Sequence, residues 1–123
     1  MPGNTTLDTI YIIDSTNNNV TLAVSIGDQA QTSDMTIRLD EEIIVKEHPG
    51  DFPEKILGTN QQLKGKKLSI VATIADTSQT SNLTSLTIRI KGGFFPGEFP
   101  LAKTVDTNGA SADYLCLIEF FNP

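Results

Sequence analysis

Short segments in which apolar and polar residues alternate are the feature that most restricts the fold of this chain. In VTLAVSI, residues 20–26, the apolar side chains of Val20, Leu22 and Val24 share one side. A period of two is the pattern of a β-strand with one buried face. The same alternation recurs in MTIRLD, KLSIVATIA and LTSLTIRIK. These segments predict half-buried strands rather than helices.

Residue composition agrees with this interpretation. The chain has 13 Ile, 5 Val and 15 Thr among 123 residues, and such β-branched side chains fit a pleated strand better than a helix. A length of 123 residues is typical of one domain. We therefore predict an all-β fold in which residues 1–123 form a single antiparallel β-sandwich of about seven strands, with immunoglobulin-like or jelly-roll-like topology.

The order of the segments predicts how the strands are connected. TIYIID and VTLAVSI are expected to form one hairpin, and KLSIVATIA and LTSLTIRIK a second, longer one. MTIRLD followed by IIVK is either one bent strand or two strands joined by a tight turn. Residues 47–66 contain two prolines and three glycines. We expect this segment to cross from one sheet to the other, with one turn of helix in DFPEKILG.

The last segment, DYLCLIEFF, differs from the others because it is apolar on both sides. Its two sets are Tyr114, Cys116, Ile118 and Phe120, and Leu115, Leu117 and Phe121. Such a strand is expected to be covered on both faces, as a central strand or a hidden edge. We also consider the hypothesis that one face is left open, in which case the protein should self-associate through this strand.

Part of this segment resembles the sequence around the second cysteine of immunoglobulin variable domains. Tyr114 and Cys116 have the matching spacing. The chain departs from that pattern because it has no second cysteine and no tryptophan, and only seven residues follow Cys116. We interpret the motif as coincidental, so the immunoglobulin-like prediction depends on strand count alone.

The stretch GGFFPGEFP, residues 92–100, concentrates three phenylalanines beside glycines and prolines. We interpret it mainly as a plug that covers the C-terminal strand, with an exposed ligand or partner patch as the alternative. Under that alternative the candidate binding residues are Phe94, Phe95 and Phe99, together with Phe52 in the crossover. Exposed aromatic rings can stack on sugars, and the lack of tryptophan leaves phenylalanine as the main candidate.

No motif predicts catalysis, so we expect a protein that is not an enzyme and has no cofactor. His48 is the single histidine, expected in an exposed loop, and Cys116 reads as a small buried apolar residue. One histidine and one cysteine cannot form a zinc site, and no metal site is predicted. Calcium is the open alternative, since seven aspartates are expected near strand ends: Asp14, Asp28, Asp34, Asp40, Asp76, Asp106 and Asp113.

The net charge of the chain restricts the classes of partner that it can bind. The net charge is −6 and only two residues are arginine, so we expect no binding of nucleic acid. No apolar run is long enough for membrane insertion. The first residues, MPGNTTLD, lack the features of a signal peptide, which leaves a cytoplasmic protein or a mature exported fragment as alternatives. We expect a non-catalytic module with a structural or protein-interaction role, in an assembly or on a cell surface, with a small-ligand, carbohydrate or Ca²⁺-dependent binding domain as the alternative.

Overall fold

Two β-sheets that face each other account for most of the chain. The computed structural model describes residues 5–27, 31–76, 83–105 and 111–123. Within these ranges one short helix, α1 (Asn60–Leu63), accompanies the strands. The strands are β1 (Thr6–Ile12), β2 (Asn19–Ile26), β3 (Gln31–Leu39), β4 (Glu42–His48), β5 (Phe52–Thr59), β6 (Lys67–Asp76), β7 (Leu83–Lys91), β8 (Gly97–Thr104) and β9 (Ser111–Phe121). The predicted all-β sandwich is confirmed.

The strands divide into a five-stranded sheet of order β1-β9-β6-β3-β4 and a four-stranded sheet of order β5-β2-β7-β8. Strands β3 and β4 form a hairpin, and so do β7 and β8, while β1 runs parallel to β9. MTIRLD and IIVK are thus two strands, joined at Asp40, whose positive φ of 51° suits a tight turn. The finer choice between immunoglobulin-like and jelly-roll-like topology stays a prediction.

Both hairpins predicted from adjacent segments are wrong. β1 and β2 lie in different sheets, and so do β6 and β7. Alternation shows which residues face the core, but the inner faces of both sheets carry the same alternation. The pattern therefore cannot tell a strand that pairs with its neighbour from one that crosses to the opposite sheet. Residues 28–30, 77–82 and 106–110, which connect strands, lie outside the described residues.

The hydrophobic core lies between the sheets and is built from the inward side of each alternating segment. The five-stranded sheet supplies residues such as Met35, Ile37, Leu68, Ile70, Ile74, Ile118 and Phe120, and the four-stranded sheet supplies Val20, Leu22, Leu86, Ile88 and Ile90. All of them are almost fully buried. Full burial of such a side chain stabilises the fold by about 1.5–3 kcal/mol.

The region from residue 47 to 66 differs from its prediction. DFPEKILG is not a turn of helix, because Phe52–Thr59 form β5, and the one-turn helix begins only at Asn60. Thr59 and Gln62 form a capping box that starts this helix. β5 lies at the edge of its sheet and pairs irregularly with β2, which is where a sheet tolerates a proline such as Pro53. β5 and β8 raise the strand number in the described residues to nine, against about seven predicted.

Candidate functional site

The segment of residues 92–96, which we call the aromatic loop, is fixed by its backbone. The amide N of Gly93 donates to the hydroxyl oxygen of Tyr11 at 3.0 Å, and the amide N of Phe94 donates to the carbonyl oxygen of Ile12 at 3.0 Å. Gly92 has a φ of 101°, and a Cβ atom there would overlap the carbonyl oxygen of Asn19. The loop therefore needs glycine at position 92 and is bonded directly to the end of β1.

Asn60 holds the base of the aromatic loop in place. Its side chain is fully buried, and its Nδ2 donates to the carbonyl oxygens of Asn18 and Gly92, both at 2.9 Å. Its Oδ1 accepts a hydrogen bond from the amide N of Asp14 at 3.1 Å. One buried amide thus joins three segments that are distant in sequence, and its polar groups are satisfied as burial requires.

The plug interpretation is wrong for Phe94 and Phe95. Their side chains are 70% and 54% exposed, and their rings meet edge to face with centroids 6.1 Å apart. The ring of Phe95 also approaches that of Tyr11, at 6.5 Å. Phe99 is different, because it lies on β8 and packs against the core. Hydrogen bonds hold the loop backbone against β1, and the two rings project outward from it.

Phe52 does not join the other predicted site residues. It is buried on β5, where its ring contacts the ring of His48 at a centroid distance of 5.7 Å. It pairs with Val24 of β2, whereas the aromatic loop lies near Asn19, at the beginning of that strand. Five residues of extended strand separate these points by roughly 17 Å. The four candidate binding residues therefore do not form one site.

A second candidate surface is the outer side of the five-stranded sheet. On β9 the inward residues are buried, but Leu115, Leu117 and Phe121 are 42%, 40% and 42% exposed. The prediction that both faces of this strand are covered is wrong for the outer one, although β9 is indeed an internal strand. We call this surface the apolar face and define it by five exposed side chains: Ile10 of β1, Val71 of β6, and Leu115, Leu117 and Phe121 of β9.

Charged groups lie within and beside the apolar face. Lys67 and Glu119 are cross-strand neighbours on β6 and β9, and Asp8 lies beside Leu117 on β1. A shallow depression of about 420 Å³ is lined by residues that include Ile10, Lys67 and Leu117. Among the described residues the structure contains one ion pair, and it is elsewhere, between Arg89 and Glu98. The charges of the apolar face therefore form no ion pair with another described residue.

The outer side of the four-stranded sheet has the opposite character. Arg89 of β7 donates to the hydroxyl of Ser25 at 3.0 Å and forms an ion pair with Glu98 of β8 at 3.7 Å. The hydroxyl of Thr21 donates to Glu54 at 2.9 Å. These polar groups bond to one another across the strands, as on a solvated sheet face. Two large apolar side chains, Ile56 and Leu83, are also exposed in this sheet, but β2 lies between their strands. The apolar face, where such side chains lie on adjacent strands, is therefore the stronger candidate for an interface.

Sequence reasoning found part of the apolar face and missed the rest. Leu115, Leu117 and Phe121 stood out in DYLCLIEFF, but Ile10, Val71 and Asp8 were not singled out. A signal was present for Val71, because it interrupts the polar side of KLSIVATIA between Ser69 and Thr73. The sequence alone does not show that Val71 lies beside Leu115, because that depends on the strand order, which places β6 next to β9.

Side chains that can support catalysis in other proteins are buried or engaged in turns where the structure describes them. Cys116 is fully buried, and burial raises the pKa of its thiol to about 12, so it is a poor nucleophile. His48 lies at the end of β4 and is partly buried rather than in an exposed loop, with Nε2 2.9 Å from the carbonyl oxygen of Asp51. Burial also raises the pKa of Tyr11 and Tyr114. These groups serve the core and the turns.

The aspartates considered for calcium are engaged locally where the structure describes them. The hydroxyl and amide N of Thr16 donate to Asp14 and lower the pKa of its carboxyl, and the amide N of Lys67 donates to Asp40 at 2.8 Å. Asp34 and Asp113 lie within strands rather than at their ends. Asp28, Asp106 and the side chain of Asp76 lie outside the described part of the chain. The described residues contain no cluster of three metal-binding side chains.

Comparison of the chain with protein-family models, curated proteins and solved structures finds no match. Within the described ranges, no helix is long and apolar enough to cross a membrane. The case for function therefore depends on the two surfaces described above, the aromatic loop and the apolar face.

Proposed function

We propose that the protein is a non-catalytic β-sandwich module with a structural or protein-interaction role, and that copies of it associate through the apolar face. One observation carries this proposal: Leu115, Leu117 and Phe121 are exposed side by side on an internal strand. Large apolar side chains grouped on a sheet and bordered by charges are typical of a protein-binding surface.

Burial of the apolar face would supply the driving force for binding. Removal of apolar surface from water stabilises a complex by roughly 25 cal/mol for each Å² buried. Leu117 lies at the centre of the face, between Asp8 on β1 and Ser69 on β6. A lysine at this position would place a charge in the middle of the contact, where it loses its hydration without gaining a partner.

The experiment measures mass against concentration by analytical ultracentrifugation for the wild type, Leu117→Lys and Ile56→Lys. Ile56 is an exposed apolar residue of β5, in the other sheet, so its lysine variant is a matched control. We expect the wild type and Ile56→Lys to associate and Leu117→Lys to remain a folded monomer. A wild type that stays monomeric up to about 1 mM, a concentration at which even a weak interface would be occupied, overturns the proposal. Equal association of all three proteins overturns it as well.

The aromatic loop supports a second candidate function, a small-ligand, carbohydrate or Ca²⁺-dependent binding domain. The observation in its favour is that Phe94 and Phe95 are exposed on a backbone fixed by hydrogen bonds. A fixed loop binds a ligand without first losing conformational entropy. Thermal unfolding with glycans, Ca²⁺ or EDTA tests this function, since a ligand at about 100 times its Kd stabilises by about 2.7 kcal/mol. A shift that Phe94→Ala removes would favour this candidate.

A further inference from the structure

We propose that the partner of the apolar face is a second copy of this chain, packed face to face about a two-fold axis that runs parallel to the strands between β9 and β6. This inference depends on the proposed function, because it uses the same surface. It adds the relation between the two copies and the charged contacts that select it.

The hydrogen-bond register aligns four outward residues in one row across the five-stranded sheet. Asp8 of β1 is opposite Leu117 of β9, Leu117 is opposite Ser69 of β6, and Ser69 is opposite Arg38 of β3. These four residues, which we call the row, have an acidic residue at one end and a basic residue at the other, with Leu117 and Ser69 between them. Beyond the row, Arg38 is opposite Ile43 of the edge strand β4. The midpoint of the row falls between β9 and β6.

A two-fold axis through that midpoint places β9 of one copy over β6 of the other, and β1 over β3. Asp8 then faces Arg38 of the second copy, and Arg38 faces the second copy's Asp8. The interface is self-complementary, as a two-fold contact between identical chains requires. Opposite charges at both ends of the row fix the orientation of the two copies.

The neighbouring rows obey the same symmetry. Glu119 of β9 is opposite Lys67 of β6, so the axis brings Glu119 of each copy over Lys67 of the other. In the row on the other side of Leu117, Leu115 is opposite Val71, and the axis stacks these two apolar side chains across the interface.

The charges at the ends of the row are available for this contact. Neither the carboxylate of Asp8 nor the guanidinium of Arg38 has an ion pair or a side-chain hydrogen bond to any described residue. Both side chains are exposed. A shift of the second copy by one strand would separate Asp8 from Arg38. In one direction Asp8 would face Ile43 and Arg38 would face Leu117, so both charges would lose hydration without gaining a partner. In the other direction Asp8 would face Ser69 and Arg38 would lie beyond the edge strand β1. The arrangement about the axis between β9 and β6 is the one that pairs them.

The experiment compares Asp8→Arg, Arg38→Asp and their equimolar mixture by analytical ultracentrifugation of the full chain. Each variant alone brings like charges together twice in its own dimer, so we expect its self-association to weaken by about tenfold or more relative to wild type. In the mixture, Arg at position 8 of one chain faces Asp at position 38 of the other, while the unchanged Arg38 and Asp8 face each other. We therefore expect the mixture to regain association.

Lys91→Asp is the control, since it makes a similar charge change at an exposed position of β7, in the other sheet. Circular dichroism establishes that each variant is folded. Loss of association in Leu117→Lys together with no effect of Asp8→Arg or Arg38→Asp overturns this inference and leaves the proposed function standing. Weakened association of both variants without recovery in their mixture also overturns it. A wild type that never associates overturns the inference and the proposed function together.

Discussion

The two sides of β9 carry similar side chains in different surroundings. Towards the core, Ile118 and Phe120 are almost fully buried, whereas Leu117 and Phe121 on the other side are about 40% exposed. The residue types of one strand thus show that both sides avoid water, but not what covers each side. On the inner side the cover is the opposite sheet, and on the outer side we propose a second copy of the chain.

The largest expected effect separates these two sides directly. Ile118→Lys places a charge among apolar core residues, where no partner is available, and should unfold a domain whose total stability is about 5–15 kcal/mol. Leu117→Lys should change the free energy of unfolding of the monomer by less than about 1 kcal/mol, because the new side chain reaches water. Urea unfolding of dilute protein measures both. Equal destabilisation by the two substitutions would contradict the conclusion that one side of β9 is buried and the other is exposed.

The thiol of Cys116 tests how well the inner side is closed. Its pKa is raised from 9.0 to about 12 by burial, so above pH 9 the unfolded chain loses a proton that the folded chain retains. The free energy of unfolding should therefore fall by about 1.4 kcal/mol for each pH unit between about 9 and 12. Urea unfolding of wild type and Cys116→Ala over this range isolates the contribution of the thiol. Identical slopes for the two proteins would show that the site is open to water.

The smallest expected effect compares a buried and an exposed phenylalanine within residues 92–100. Phe99 packs against the core and its change to alanine should cost about 1–3 kcal/mol, while Phe94→Ala, at a ring that is 70% exposed, should cost less than about 0.5 kcal/mol. The plug interpretation instead expects similar large losses for both. Chemical denaturation of the two variants decides between these expectations. Comparable losses in the free energy of unfolding would support the plug interpretation.

Some of this fold could be predicted from sequence because alternation is a local property. The all-β class and the inward residues of β2, β6 and β7 follow from it, whereas for β9 the sequence left a central strand and a hidden edge as alternatives. β5 was missed because Pro53 and Gly58 interrupt its pattern, and an edge strand with irregular pairing tolerates both. The assignment of neighbouring strands to different sheets was missed because it depends on contacts between segments that are distant in sequence.

The candidate sites were less predictable for the same reason. The exposure of Phe94 and Phe95 depends on hydrogen bonds from their loop to β1 and on a buried amide at Asn60. The row from Asp8 to Arg38 depends on the registers of four strands, none of which follows its row neighbour directly in the chain. Local patterns identified the aromatic and apolar residues, but only the strand order shows which of them share a surface.

The place of β9 between β1 and β6 has a consequence for synthesis on the ribosome. β1 is made early, but its partner in the sheet is the strand made after all the others described here. Until residues 111–121 have left the exit tunnel, β6 has an unpaired edge and β1 has no partner strand among those described. Closure of the sandwich must then follow translation of β9, and a chain cut short before it would expose strand edges that favour aggregation.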